Sequence, residues 1–498
     1  MTEQRRGVTL SEVARAVGAT LTGDEKAEVK DVTHDSRQAR SGSLFVAIHG
    51  AEQDGHRFVN QVMQQGATGI ISEREPPPDF PGAWLQVSDA RAALAQAAAT
   101  VHHHPSREIK LVGITGTNGK TTTAYLVASI PEAAGEAVAM TGTVEYRIGA
   151  ERRKALRTTP EASDMQRMLR RAVSEGCRVA VMESSSQAID LHRCDALSLS
   201  VAVWTNLTRD HLDYHKTMEA YFAAKRRLFD GSLGERPRAA VLNMDDERAA
   251  ELARVVTDAG GRVLRYGLQS QSDVTATNVE HSLAGMRFTL HTPLGERELS
   301  SPLVGRPHIY NILAAVATGI ELGYDLDTIC RAVRTCTGAP GRFERVEHEG
   351  DFAVVVDYAH TDDALVNVLS TARGVTQGRI ITVFGCGGDR DRTKRAPMGE
   401  AAASLSDVVI LTSDNPRTED PEKILSDVEE GMLRCAKPYQ KIADRRAAIH
   451  QAVREARSGD VVLIAGKGHE DYQIIGKETL HFDDKEVARE ALAARSSS

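Results

Sequence analysis

Aromatic residues make up only 4% of this 498-residue chain, and just two are tryptophan, so no run of rings is available to stack bases. Basic residues are outnumbered, 61 Lys plus Arg against 69 Asp plus Glu for a formal charge of −8, and form no stretch interleaved with aromatics. Nucleic acid is thereby excluded as the main partner, and small anionic ligands must be caught by local sites. Six cysteines (Cys177, Cys194, Cys330, Cys336, Cys386 and Cys435) are scattered with no C-x-x-C pair, which excludes a disulfide framework or zinc site and predicts reduced, mostly buried thiols. No segment approaches about 20 unbroken apolar residues, and Met1 to Arg6 lead into no apolar leader core. The expectation is a cytoplasmic protein without membrane insertion. Internal repeats are absent, and low complexity is confined to Arg495-Ser496-Ser497-Ser498. The remaining composition, 41% apolar and 26% charged, is that of a globular protein with roughly three domains of about 150 residues.

The most specific stretch present is Gly116-Thr117-Asn118-Gly119-Lys120-Thr121-Thr122, entered from an apolar strand (110–115) and left by a helical stretch (122–129). Glycines there let consecutive N–H groups face a polyphosphate, Lys120 reaches terminal phosphates, and the Thr121 hydroxyl suits Mg²⁺. The strict phosphate-loop pattern would need glycine at Ile114, so the loop is a variant.

Residues 1–107 alternate strands (43–48, 68–72, 83–87) with helices (10–17, 56–65, 90–102), a small α/β unit. His102-His103-His104 at its end point in different directions and read as a solvated helix end. A central unit, 108–337, adds strands at 178–182, 198–204 and 238–242, an antiparallel patch at 274–303 and a helix at 311–321. Gly338-Ala339-Pro340-Gly341 reads as a linker. The last unit, 338–498, places apolar strands at 352–356, 379–384, 407–411 and 460–465 between helices, the pattern of a parallel doubly wound sheet. Each strand is followed by a polar cluster: Asp357-Tyr358-Ala359-His360, Gly385 to Arg392, Asp414-Asn415-Pro416-Arg417, and Gly466-Lys467-Gly468-His469-Glu470. Four such loops on one sheet edge make a binding site. Glu183 ends a central strand where a carboxylate meets a nucleotide-bound Mg²⁺ or caps a helix, and Thr205 to His215 form an ionisable wall. Lys225 looks by spacing like an ordinary helical lysine.

Together, the phosphate loop, the His211 segment, Ala224-Lys225, Gly341-Arg342-Phe343-Glu344, Asp357 to His360 and Gly466 to Glu470 resemble the Mur ligases of bacterial cell-wall synthesis, from Asp35-Ser36-Arg37 to His481. The resemblance implies an α/β fold of three domains: a central P-loop-type ATPase sheet, a C-terminal Rossmann-like parallel sheet and a small N-terminal domain. It implies ATP and Mg²⁺ as cofactors, and amide ligation of meso-diaminopimelate to the D-glutamate of UDP-N-acetylmuramoyl-L-alanyl-D-glutamate through an acyl phosphate. A monomer acting only on small molecules is expected. Carried over residue by residue, Lys120, Glu183, His211 and Lys225 would be catalytic. Thr121, Glu183, His211 and a carbamate on Lys225 would hold metal. Gly116 to Thr122, Asn311, Arg342 and Asp357 would contact ATP. His34, Ser36, Ala51, Glu52, Gln53, Thr158, Thr159, Ser185 and Arg193 would contact the UDP-substrate. Arg390, Asp414, Asn415, Pro416, Arg417, Gly466 and Glu470 would hold diaminopimelate, with Arg417 suited to bidentate bonding of the distal carboxylate that lysine lacks. The chain departs from the common pattern at Gln187, Leu191, Arg157 and Asp362. Lysine addition, folylpolyglutamate synthesis, a non-catalytic nucleotide-sugar binder and a phosphate-loop motor stand as rivals.

Overall fold

In a computed structural model of the chain, residues 6–50, 53–269, 271–435 and 437–496 are described. Ala51 and Glu52, expected near the UDP end of the substrate, lie outside them. The central sheet has eight strands. Six run parallel in the order Val138–Thr141, Val179–Glu183, Lys110–Thr115, Val201–Trp204, Ala239–Asn243 and Arg262–Tyr266. The hairpin strands Glu145–Ile148 and Glu151–Lys154 extend it antiparallel beyond Val138–Thr141. From Lys110–Thr115 the chain winds outward in both directions, so the loop after this strand sits at the topological switch point, where open α/β sheets bind ligands. Residues alternate between faces along each strand. Val112, Ile114, Val181 and Val203 pack into one core with helices Lys120–Ala133 and Arg306–Glu321. Leu111, Ala180, Met182 and Trp204 pack into the other with Ala162–Ser174 and Met218–Asp230.

The scarcity of aromatics has its counterpart in the first core. Ala314, Ala315 and Ala317 are fully buried beside Val127, Ala128 and Ile130, and small side chains let the two helices approach closely. A Cβ on Gly319 would meet Ile130 and Ile329 at 3.0 Å, so a larger residue there costs about 1–3 kcal/mol in overpacking.

The N-terminal sheet orders Thr20–Thr22, Ala83–Gln86, Gly69–Ser72, Ser43–Val46 and Asp31–Thr33, all parallel save the first. The C-terminal sheet runs Glu344–Arg345, Ala353–Asp357, Val461–Ala465, Ile380–Phe384, Val408–Leu411 and Tyr439–Lys441, parallel from the second strand on. Its four expected strands and their order of loops agree with the sequence reading. The antiparallel patch is a three-stranded meander, Thr275–Ser282, Gly285–Thr292 and Gly295–Ser301.

Three local readings change. Gly338 to Gly341 is no loose linker: Ala339 and Gly341 are buried, and a Cβ on Gly341 would meet the Gly468–His469 backbone at 2.2–2.4 Å. The helix read from Asn311 begins at Arg306, where Pro307 occupies the first turn. His102 is not solvated; its ring is half-buried with Nε2 3.3 Å from Asp31. All six cysteines are free and four are buried. Among the described residues, no helix is long and apolar enough to cross a membrane.

Candidate active site

The loop after Lys110–Thr115 turns through Gly116 (φ 144°) and Gly119 (φ 86°), conformations that favour glycine. A Cβ on Gly116 would lie 1.8 Å from Thr205 Oγ1, and one on Gly119 2.4 Å from Asn311 Oδ1. Lys120 opens the next helix and donates from Nζ to the carbonyls of Gly116 (2.9 Å) and Thr117 (2.8 Å). Burial pushes its ammonium below the usual lysine range, with Glu183 and Asp210 opposing.

Glu183 is buried at the end of the neighbouring strand. Its carboxylate accepts from Thr121 Oγ1 (2.9 Å), Thr143 N (2.8 Å) and Thr143 Oγ1 (3.1 Å). The helix-cap alternative does not hold, since Ser185, not Glu183, caps the following helix. Thr159 Oγ1 donates to the Glu183 carbonyl at 2.7 Å and accepts from Ser185 N at 3.2 Å, and Thr158 Oγ1 lies 3.2 Å from Thr143 Oγ1. Arg193 pairs with Glu161 at 2.8 Å. A 400 Å³ cavity joins these groups: Thr117 to Thr122, Thr158, Thr159, Glu183, Ser185, Arg193 and His211 share its wall with Arg342, Tyr358 and His360 of the C-terminal unit. Arg157 and Gln187, both departures from the common pattern, line it as well. Arg193 Nε and Arg342 Nε are buried without a hydrogen-bond partner, which marks them as donors awaiting an acceptor.

Lys225 overturns the reading from spacing. Its side chain is 1% exposed, and Nζ donates to the Gly116 carbonyl at 2.7 Å, 4.6 Å from the Tyr221 ring centre. Lys120 donates to the same carbonyl. Burial, then the neighbouring Lys120, depresses its ammonium well below the usual range. His211 is a half-buried helix N-cap in the left-handed region, kept neutral to lower pH by burial.

A second cavity of 650 Å³ meets the first at Asn118 and Gly119 and is lined by Asn311, Tyr310, Arg306, Asp245 and Tyr266. Asp363, on the first turn of the C-terminal helix Asp362–Val375, lies on its wall and accepts from Asn118 Nδ2 (2.7 Å) and Thr208 Oγ1 (3.1 Å). The sequence reading missed this residue. Asp357 does not line the first cavity; its two carboxylate oxygens accept from Phe343 N and Ala359 N, both at 2.7 Å, while burial raises its pKa.

The four C-terminal loops converge as their order requires. Arg417, left-handed at φ 52°, donates to the Gly388 carbonyl at 2.7 Å, and Asn415 Nδ2 donates to Glu470 at 3.0 Å. Asp414 and Asn415 are buried, and a Cβ on Gly466 would lie 3.1 Å from Asp414 Oδ2. Burial, then Asp414, raises the Glu470 carboxyl. Pro416 is buried; Arg390 is exposed. The N-terminal residues His34 and Ser36, on the loop after Asp31–Thr33, and the exposed Gln53 are not on the wall of the 400 Å³ cavity; His34 Nδ1 is buried without a partner.

Among the described residues, no cluster of three or more His, Cys, Asp or Glu side chains could hold a metal. The Thr121 and Glu183 oxygens instead suit an ion that takes few protein ligands and keeps water or phosphate for the rest, as Mg²⁺ does.

Residues 28–102 match the Mur ligase family catalytic domain, 114–319 the Mur ligase middle domain, and 341–468 the Mur ligase glutamate ligase domain. A UDP-N-acetylmuramoyl-L-alanyl-D-glutamate--2,6-diaminopimelate ligase of Solibacter usitatus is 48% identical over 93% of this chain and 94% of its own. One of the same name from Geobacter sulfurreducens is 46% identical over 98% and 99%. A solved structure of a ligase so named superposes with a TM-score of 0.73 at 33% identity, covering 99% of this chain and all of that one. The MurF ligase of Thermotoga maritima in complex with ADP shares the fold, with a TM-score of 0.65 at 19% identity over 94% and 99% of the two chains. With its three α/β units matched in order along nearly the whole sequence, the chain belongs to the Mur ligase family.

Proposed function

We propose that the chain is an ATP-dependent ligase that joins meso-diaminopimelate to the D-glutamate of UDP-N-acetylmuramoyl-L-alanyl-D-glutamate, with domains at 1–107, 108–337 and 338–498. The observation that carries this reading is the 400 Å³ cavity, which gathers a phosphate loop, a buried carboxylate and unpartnered arginine nitrogens from two units around one space. The adjoining 650 Å³ cavity has room for the nucleoside beside Asn118 and Asn311. His34 and Ser36 take the UDP end, while Thr158, Thr159, Ser185 and Arg193 orient the dipeptide.

The D-glutamyl γ-carboxylate attacks the γ-phosphorus of ATP, forming an acyl phosphate as the bond to ADP breaks. The diaminopimelate amine then attacks the acyl carbon, loses a proton and expels inorganic phosphate. Lys120 would leave its loop carbonyls for the phosphates and neutralise charge on the transferring group, work that is chiefly positioning and electrostatics. Mg²⁺, held by Thr121, Glu183, His211 and Lys225, would supply the remaining charge neutralisation. Lys225 would serve as a carbamate, its neutral amine adding CO₂ and releasing a proton. Two ammonium groups donating to one carbonyl repel each other in a buried setting, which favours the neutral amine. Arg417 pairs with the distal carboxylate of diaminopimelate, and Glu470 with its distal ammonium.

Incubation with UDP-N-acetylmuramoyl-dipeptide, ATP, Mg²⁺ and an equimolar amino-acid mixture tests the reading. Mass spectrometry should find the diaminopimelate adduct with one ADP released per product. A lysine adduct, or ATP hydrolysis without any adduct, would overturn it.

A further inference from the structure

Lys467 is fully buried at the junction of the loops that follow Val408–Leu411 and Val461–Ala465. Its Nζ donates to Tyr472 O at 2.6 Å and Asn415 Oδ1 at 3.0 Å, and stands 3.3 Å from Asp414 Oδ1 and 3.7 Å from Glu470 Oε2. Two consequences follow from these contacts. Asn415 Oδ1 is occupied by Lys467 and by Ile474 N (3.0 Å), so the amide must turn its Nδ2 toward Glu470. Asp414 Oδ1, buried and accepting no hydrogen bond, faces the ammonium as its counter-charge.

The charges around this point balance. Asp414 and Glu470 bring two negative groups, Lys467 and Arg417 two positive ones, and Arg445 beneath them is matched by Asp484 at 2.6 Å. A guest head carrying both an ammonium and a carboxylate leaves that balance intact. A guest carrying an ammonium alone leaves one uncompensated positive charge in a buried site, an expensive state.

Resting on the reading of this site as the diaminopimelate pocket, we propose that Lys467 is a positioning and specificity-determining residue: its buried ammonium fixes the Asn415 amide, stands as counter-charge between Asp414 and Glu470, and sets a charge count that a zwitterionic side-chain head satisfies and a simple amine does not. It touches the loops that grip the amino acid rather than the reacting atoms.

The experiment uses the full-length protein with Lys467→Met and with Lys467→Gln, which keeps a donor for Asn415 while removing the charge. Both should raise the KM for meso-diaminopimelate at least tenfold and that for ATP far less. Both should also narrow the ratio of kcat/KM between diaminopimelate and L-lysine at least tenfold, because loss of one positive charge makes the lysine side chain the better electrostatic match. The groups facing Glu470 are Asp414 and Arg417 on their shared loop, Tyr358, Tyr472, Arg445 and Lys467. Without the ammonium, the already raised Glu470 carboxyl rises further. The variants' KM for diaminopimelate should therefore fall with rising pH more steeply than the wild type's. An unchanged amino-acid preference together with a pH profile no steeper than the wild type's in Lys467→Gln would overturn the proposal. A wild-type enzyme that adds no diaminopimelate would instead overturn the reading of the pocket.

Discussion

Asp363 reaches from the C-terminal unit to the phosphate loop, and removing it should weaken nucleotide binding without touching a phosphate contact. In Asp363→Ala, Asn118 Nδ2 loses a 2.7 Å acceptor and Thr208 Oγ1 a 3.1 Å one. A hydrogen bond contributes a net of about 0.5–1.5 kcal/mol, more to a buried charge, and in this half-buried setting, with water ready to replace the carboxylate, each of the two counts about 1 kcal/mol, about 2 kcal/mol for the pair. Since about 1.4 kcal/mol is a factor of ten, the KM for ATP should rise roughly 30-fold. Asp363→Asn keeps one acceptor oxygen and should lose roughly tenfold or less. A double-mutant cycle with Asn118→Ala, read as kcat/KM for ATP by coupled ADP release at saturating UDP-substrate and amino acid, isolates the contact. A coupling near 1 kcal/mol or more is expected; additivity within about 0.5 kcal/mol would show that Asp363 acts through something other than Asn118.

Arg417→Ala should raise the KM for diaminopimelate at least tenfold and leave that for ATP nearly unchanged; equal losses in steady-state kinetics would make the arginine a structural brace for Gly388. Lys225→Ala should lose most ligase activity and recover part of it with added short carboxylates, whereas Lys225→Arg, which stays protonated, should not substitute; ¹³C NMR with labelled bicarbonate should show a carbamate signal absent from both variants. Burial pushes His360 and His469 down to about 4, below the ordinary value near 6.5, so both fold neutral. The unfolded chain binds protons that the folded one refuses, and stability should fall as pH drops from about 6.5 toward 4; His360→Gln should flatten part of that slope in urea midpoints measured across this range.

Sheet-edge loops were legible because they follow apolar runs whose length and β-branching declare strands, and because parallel connectivity puts all their carboxyl ends on one side. That logic located Asp414 to Arg417 and Gly466 to Glu470 together, and Glu183 beside Thr121. The hairpin Glu145–Ile148 and Glu151–Lys154 escaped notice because its charged residues, with Arg152, Arg153 and Lys154 exposed, give no apolar alternation to read. Lys225 was illegible for another reason: its acceptor, Gly116 O, is 109 residues away, and helical spacing says nothing of what a helix face meets. Asp363 finds Asn118 across 245 residues and between two units. Lys467 stands inside a motif that the sequence singles out, but its burial was not legible there, because its acceptor Asn415 lies 52 residues away on another loop.

The contact between Gly341 and the Gly468–His469 turn binds two chemistries into one piece. Arg342 follows the first glycine and faces the cavity of the phosphate loop; Glu470 follows the second turn and faces the amino-acid loops. Neither glycine tolerates a side chain: Gly341 abuts backbone, and a Cβ on Gly468 (φ 56°) would meet Tyr358 at 2.6 Å and the Gly341 carbonyl at 2.8 Å. The join therefore fixes Arg342 and Glu470 relative to each other through backbone alone, and a side chain at either glycine would displace both of them at once.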